Sequence, residues 1–243
     1  MTMTTLPRTL PRAKRPTLCG KPLEGSLHVC AFVDSRDQQY ELLLPFLREG
    51  MNCEECLLNI VAPEHRADHV ERLMQGGIDA DALVAEARLL LLSFEDTYLK
   101  DGCFSADRVL GMIEEAMANA KRDGFPALRG FGEMHWALSG LPGTEQLMEY
   151  EARVNYLAPQ FEAPLICVYD VSKFSGRVVM DILSTHPKVI MGGQIFDNPY
   201  YMEPAVFLKY LAARKTIRAH ARNQSAPLHI APSPQPFSPG TYP

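Results

Sequence analysis

Residues 28–50 read HVCAFVDSRDQQYELLLPFLREG, a short apolar strand, a charged turn and a helix in immediate succession. In many nucleotide-binding α/β proteins the first strand-to-helix turn cradles a phosphate. That cradle needs bare backbone amides and a reaching lysine, written GxxxxGK[ST]. The turn Asp34-Ser35-Arg36-Asp37 has no glycine and carries two carboxylates, and no other glycine in the chain precedes Lys-Ser or Lys-Thr. The geometry of a nucleotide site is therefore expected without its phosphate loop. Ser35-Arg36-Asp37-Gln38 fits a capping box ahead of Tyr40, Leu43, Leu44 and Leu47.

Outward from this unit the pattern repeats. Further candidate strands at 56–62, 88–94, 127–131, 164–170 and 188–192 are mostly continuous apolar runs, as expected of a parallel sheet buried on both faces. Helical periodicity marks 35–50, 64–74, 79–86, 105–122, 144–158, 175–185 and 203–222, with Ser105 as a cap and Gly124 as a stop. The alternation predicts an α/β fold of three layers, a mostly parallel sheet with helices on both faces. Ligands in such sheets bind outside the carboxyl ends of the strands.

At 243 residues and 47% hydrophobic the chain suits one sizeable domain. Residues 1–22 are expected to form a disordered basic arm, 23–214 the folded domain, and 215–243 a basic and then proline-rich tail. Ten basic residues lie in the flanks with no acid among them, so a net charge of -5 leaves -15 in residues 22–208. Such a body repels a phosphate backbone, which restricts nucleic-acid contact to the basic ends. No apolar run is long enough to span a bilayer, so a cytoplasmic protein without membrane contact is expected. The six cysteines are too sparse for a disulfide scaffold.

The order HVCAF, PFLREGMNCEECLLNIVAPEH, RGFGEMHWAL, EYEARVN, LICVYD and STHPKVIMGGQIFDNPYYMEPAVFL resembles the MEDS sensory domain, named for methanogens, methylotrophs and a repressor of dichloromethane metabolism. The resemblance covers roughly residues 25–210. It implies a divergent RecA/KaiC-type domain without a phosphate loop that senses small hydrocarbon derivatives. It also implies a non-enzymatic sensor that regulates transcription or a signalling partner, with a small-molecule ligand, a protein partner such as a kinase or regulator, room for a homo-oligomer, and no cofactor. The 22 residues ahead of the core are too few for a DNA-binding domain, so such a sensor is expected to pass its state to a partner. Two alternatives remain open: a nucleotide-binding or weakly ATP-hydrolysing remnant, with Asp170 and Glu95 or Glu133 on magnesium, and a pure protein-interaction module.

The expected ligand set gathers at the strand ends: His28, Phe32, Asp34, Ser35, Glu133, Met134, Trp136, Asp170 and Phe174. Trp136 beside Met134 offers a polarizable wall and Glu133 one polar handle, against the plainer reading of Trp136 as a core plug. Glu151 and Asn155 share a helix face that reads as hydrogen-bonding, and His186 reads as complementing a helix C-terminus. Cys53 and Cys56 form a CxxC, either a dithiol switch or half a zinc site, but no second such motif completes a metal set. His65 and His69 lie four apart on an expected helix, a spacing able to bind metal.

Overall fold

The computed structural model describes residues 16–25 and 27–224, with side chains through 217. Two short strands, β1 (Thr17–Leu18) and β2 (Lys21–Pro22), form a hairpin. The core then alternates β3 (His28–Val33), α1 (Arg36–Asn52), β4 (Cys56–Val61), α2 (Arg66–Gln75), α3 (Ala80–Ala85), β5 (Leu89–Ser93), α4 (Ala106–Arg122), β6 (Leu128–Glu133), α5 (Leu147–Gln160), β7 (Leu165–Asp170), α6 (Gly176–Thr185), β8 (Lys188–Met191), β9 (Gln194–Asp197) and α7 (Pro204–Gln224).

Seven strands make one sheet in the order β5-β4-β6-β7-β3-β8-β9, parallel except at β9. β3 sits between β7 and β8, so the turn that follows it opens inside the sheet rather than at its edge. On one face Val29, Ala31, Val33, Val61, Phe131 and Val168 pack against α1, α2 and α3. On the other, Leu58, Ile60 and Cys167 face Ile113 of α4 and Tyr150 and Val154 of α5. Gly132 admits the Tyr98 ring to that face, since a Cβ there would stand 2.3 Å from its hydroxyl. The three-layer α/β expectation is met.

Two expectations change. The arm expected to be disordered up to residue 22 is ordered from Pro16: Leu18 is buried, and the Thr17 N–H and hydroxyl donate to Glu49 of α1 at 2.9 and 2.6 Å. One buried leucine and a carboxylate acceptor outweigh the local proline content. Residues 1–15 and 225–243, also expected to be disordered, lie outside the described residues. The β9 strand was not expected, because Gln194–Asp197 is short and half polar. It exists because Gly192 and Gly193, both at positive φ, permit a two-residue hairpin turn.

The chain divides into two compact units, with the division between Leu208 and Lys209. Phe207, near the start of α7, is fully buried. Further along the same helix the Arg214 guanidinium lies 5.2 Å over the Tyr210 ring. Among the described residues no helix is long and apolar enough to cross a membrane.

Candidate functional site

At the turn after β3 the Ser35 cap forms as the sequence predicts, while Gln38 reaches back to Asp34 rather than to the Ser35 N–H that a capping box uses. Ser35 Oγ accepts from the Gln38 N–H at 3.3 Å, and Gln38 Oε1 accepts from the Asp34 N–H at 2.9 Å. The turn is thus closed by its own side chains. Arg36 then reaches across the carboxyl edge, where Nη1 donates to Glu133 Oε1 at 3.0 Å and Nε to Asp68 Oδ2 at 2.9 Å.

Glu133, the last residue of β6, is almost fully buried and has both oxygens engaged. Oε1 also accepts from Gln39 at 3.0 Å, while Oε2 accepts from the Ala62 N–H at 2.9 Å and lies 2.8 Å from His65 Nδ1. Burial pushes its pKa up, but His65, the Ala62 amide and Gln39 outweigh that and hold it down at about 2. A narrow cleft of about 50 Å³ over this network joins Ser35, Arg36, His65, Glu133, His135 and Asp170.

Asp170 ends β7, and its Oδ1 accepts from the Ser172 N–H and hydroxyl at 3.0 and 2.6 Å. Lys173 pairs with the other oxygen at 3.3 Å. The carboxylates considered for magnesium are thus committed to protein donors at Asp170 and Glu133, while Glu95 is exposed in the turn after β5.

A roomier cavity of about 330 Å³ lies beside the same turn. Phe32 and Val33 of β3, Leu42 and Pro45 of α1 and Ile190 of β8 make its apolar wall, with Gln38 and Glu41 as polar groups and Cys19–Gly20 and Gly193 at its margin. Pro45 has no N–H to give the Glu41 carbonyl, so that oxygen lacks its helical donor.

The structure therefore separates the residues that the sequence grouped. Ser35, Glu133 and Asp170 meet at the narrow cleft, with Asp34 exposed beside it. Phe32 lines the larger cavity. Trp136 is 1% exposed, stacked between Phe104 and Tyr98 at centroid distances of 4.2 and 4.8 Å, and Met134 is fully buried. Both occupy core positions, and Phe174 packs edge-on to Tyr169. His28 begins β3 and points into the α5–α6 side of the sheet, where it meets Glu151.

That last region is the one sequence reasoning missed. His28, Glu151, Cys167, Tyr169 and His186 converge in a buried polar cluster, with half-buried Asn155 at its rim. Asn198 stabilises its margin by donating to the carbonyls of Leu183 and His186, each at 2.7 Å. The motifs HVC, EYEARVN, LICVYD and STHP, remote in sequence, meet here.

A family model described as the methanogen/methylotroph, DcmR sensory domain (MEDS) matches residues 27–187. The chain belongs to the MEDS family. It is 26% identical over 182 residues to the transcriptional repressor DcmR of Methylorubrum extorquens, a stretch covering 74% of this chain and 65% of that protein. The MEDS domain of this chain is also similar in fold to a KaiC-like protein from Pyrococcus horikoshii, with a TM-score of 0.52 at 13% identity over 75% of this chain and 79% of that one. The expected RecA/KaiC-type architecture is thereby met.

Two further expectations lie in this MEDS domain. Cys56 heads β4 and is buried; burial, with the charge of Asp123, pushes its thiol up to about 11. The low-pKa thiolate that a dithiol switch requires is absent at that position. His65 and His69 do not act as a pair: His65 lies in the 3-10 turn before α2 and faces Glu133, whereas buried His69 contacts the Tyr40 hydroxyl at 2.7 Å and Asn59 at 3.1 Å.

Proposed function

We propose that this MEDS domain is a non-enzymatic regulatory sensor that binds one small, mostly apolar organic molecule and controls a transcription or signalling partner. The observation that carries this reading is the 330 Å³ cavity beside the first strand-to-helix turn. Its volume is at the low end for ligand pockets, and since about 150 Å³ holds a benzene ring, the occupant is restricted to about a dozen heavy atoms. Five apolar side chains provide burial, and Glu41 and Gln38 provide orientation. The family's sensory description and the repressor named among its relatives supply the regulatory half.

The β8–β9 hairpin offers a route for output. Ile190 and Gly193 touch the cavity, while Met191 and Phe196 of the same hairpin are exposed. A ligand that stiffens Ile190 thereby changes an apolar surface available to a protein partner.

Thermal denaturation across small C1 compounds, halogenated hydrocarbons and magnesium-ATP tests the reading. A ligand selective for the native state raises the melting temperature with concentration. The expected result is stabilisation by a small organic compound, abolished in Leu42→Trp, which fills the cavity, and none by magnesium-ATP. Stabilisation by magnesium-ATP alone overturns it.

A further inference from the structure

The enclosed cluster on the α5–α6 side is independent of the ligand cavity, which touches the opposite helix layer. Its chemistry follows from which nitrogens carry protons. Asn155 Nδ2 donates to the carbonyls of Glu151, Ala152 and Thr185 at 3.1, 3.3 and 2.7 Å, which fixes the amide orientation and leaves Oδ1 facing His28 Nδ1 at 3.2 Å. An amide oxygen only accepts, so His28 carries its proton on Nδ1. His186 Nδ1 lies 2.9 Å from the Ile182 carbonyl and is fixed the same way.

In the neutral rings both Nε2 atoms then bear lone pairs, and both lie 3.2 Å from the same oxygen, Glu151 Oε2. His186 Nε2 is fully buried there without a hydrogen bond. Cys167 Sγ completes the group at 3.4 Å from His28 Nε2 and 3.5 Å from Glu151 Oε2.

These four distances match four of the six edges of a coordination tetrahedron, and the two remaining pairs of ligand atoms lie within 4.8 Å of each other. Metal–ligand bonds of about 2.0–2.1 Å to nitrogen or oxygen and about 2.3 Å to sulfur place neighbouring ligand atoms about 3.3 Å apart, or about 3.6 Å where one is sulfur. Hydrogen bonds from the outer imidazole nitrogens to a carbonyl and an amide oxygen are the support that metal-bound histidines use. Tyr169, through its hydroxyl, holds the other oxygen of Glu151.

We propose that His28, Glu151, Cys167 and His186 form a closed structural site for a divalent zinc-like cation. Binding converts the Cys167 thiol to a thiolate and releases its proton to solvent. Two anionic ligands then neutralise the dication, and all four protein atoms fill its coordination sphere. The cation ties together β3, α5, β7 and the end of α6, adding to the hydrogen bonds that Asn155 and Tyr169 already make between them.

The test uses the full chain, purified from zinc-supplemented medium without an affinity tag, with metal measured by mass spectrometry and zinc titrated against a chromophoric chelator. The expected result is about one zinc per chain, falling at least tenfold in Cys167→Ala and His186→Ala but not in Cys56→Ser. Cobalt loaded into the unmutated chain gives a thiolate charge-transfer band with tetrahedral visible bands, a readout that does not depend on the variants folding. Less than a tenth of an equivalent of zinc in the unmutated chain together with no chelator-competing affinity overturns the proposal, as does zinc retained in folded Cys167→Ala and His186→Ala.

Discussion

Arg36 and Glu133 join the first turn to the end of β6 through a 3.0 Å ion pair, occupying the edge where a phosphate loop would present its amides. The partners differ in exposure: Glu133 is almost fully buried, while the Arg36 side chain is 28% exposed. Removing the buried partner leaves the Ala62 N–H, the Gln39 amide and one Arg36 N–H without their acceptor in a buried pocket, so Glu133→Leu should cost about 3 kcal/mol. Arg36→Ala leaves Glu133 with three donors and should cost about 1 kcal/mol. Urea denaturation at neutral pH checks both values and their order.

Acid should destabilise the domain through His69. Burial, the largest influence, lowers its pKa from 6.5 to about 4, so the folded state holds it neutral. The unfolded chain takes up that proton first. The stabilising share is present above about pH 6.5 and is lost as pH falls towards 4, amounting to about 3 kcal/mol. Stability measured across that window should therefore fall on acidification, and His69→Gln should flatten the slope.

Trp136 is the chain's sole tryptophan and lies inside an aromatic stack rather than at a ligand wall. Its emission should be blue-shifted and poorly quenched by iodide, and it should stay so when ligand binds. Trp136→Ala removes a large buried ring and should cost about 3–5 kcal/mol.

Cys56 should resist thiol reagents in the native state, because its thiol is buried with a pKa near 11. Native-state labelling with a chromogenic disulfide should reach Cys56 only as fast as the domain opens. Rapid labelling at neutral pH would contradict the buried, protonated thiol.

The sheet was legible because β3, β4 and β7 are mostly apolar runs buried on both faces and β5 is an apolar run at the sheet's edge, a pattern with few alternatives. The Ser35 cap was equally local. Gln194–Asp197 was not legible, since a polar four-residue strand depends on a glycine turn and on β8 beside it. Trp136 misled as a ligand group because exposure at a strand end and insertion between Phe104 and Tyr98 have the same local sequence. The cluster of His28, Glu151, Cys167 and His186 has no spacing to read: its members lie on four elements, and only the β3–β7 register and the packing of α5 and α6 bring them together. The cavity is harder still, being a property of space between Phe32, Leu42 and Ile190 rather than of any motif.

The central claim, that the first turn adjoins a small-molecule cavity rather than a phosphate site, is tested most directly by methyl NMR of the labelled chain titrated with the stabilising compound and, separately, with magnesium-ATP. The account predicts saturable shifts of the Val33, Leu42 and Ile190 methyls with the organic compound and none with the nucleotide. Saturable shifts produced by magnesium-ATP, with those methyls silent to every small organic compound, would contradict it.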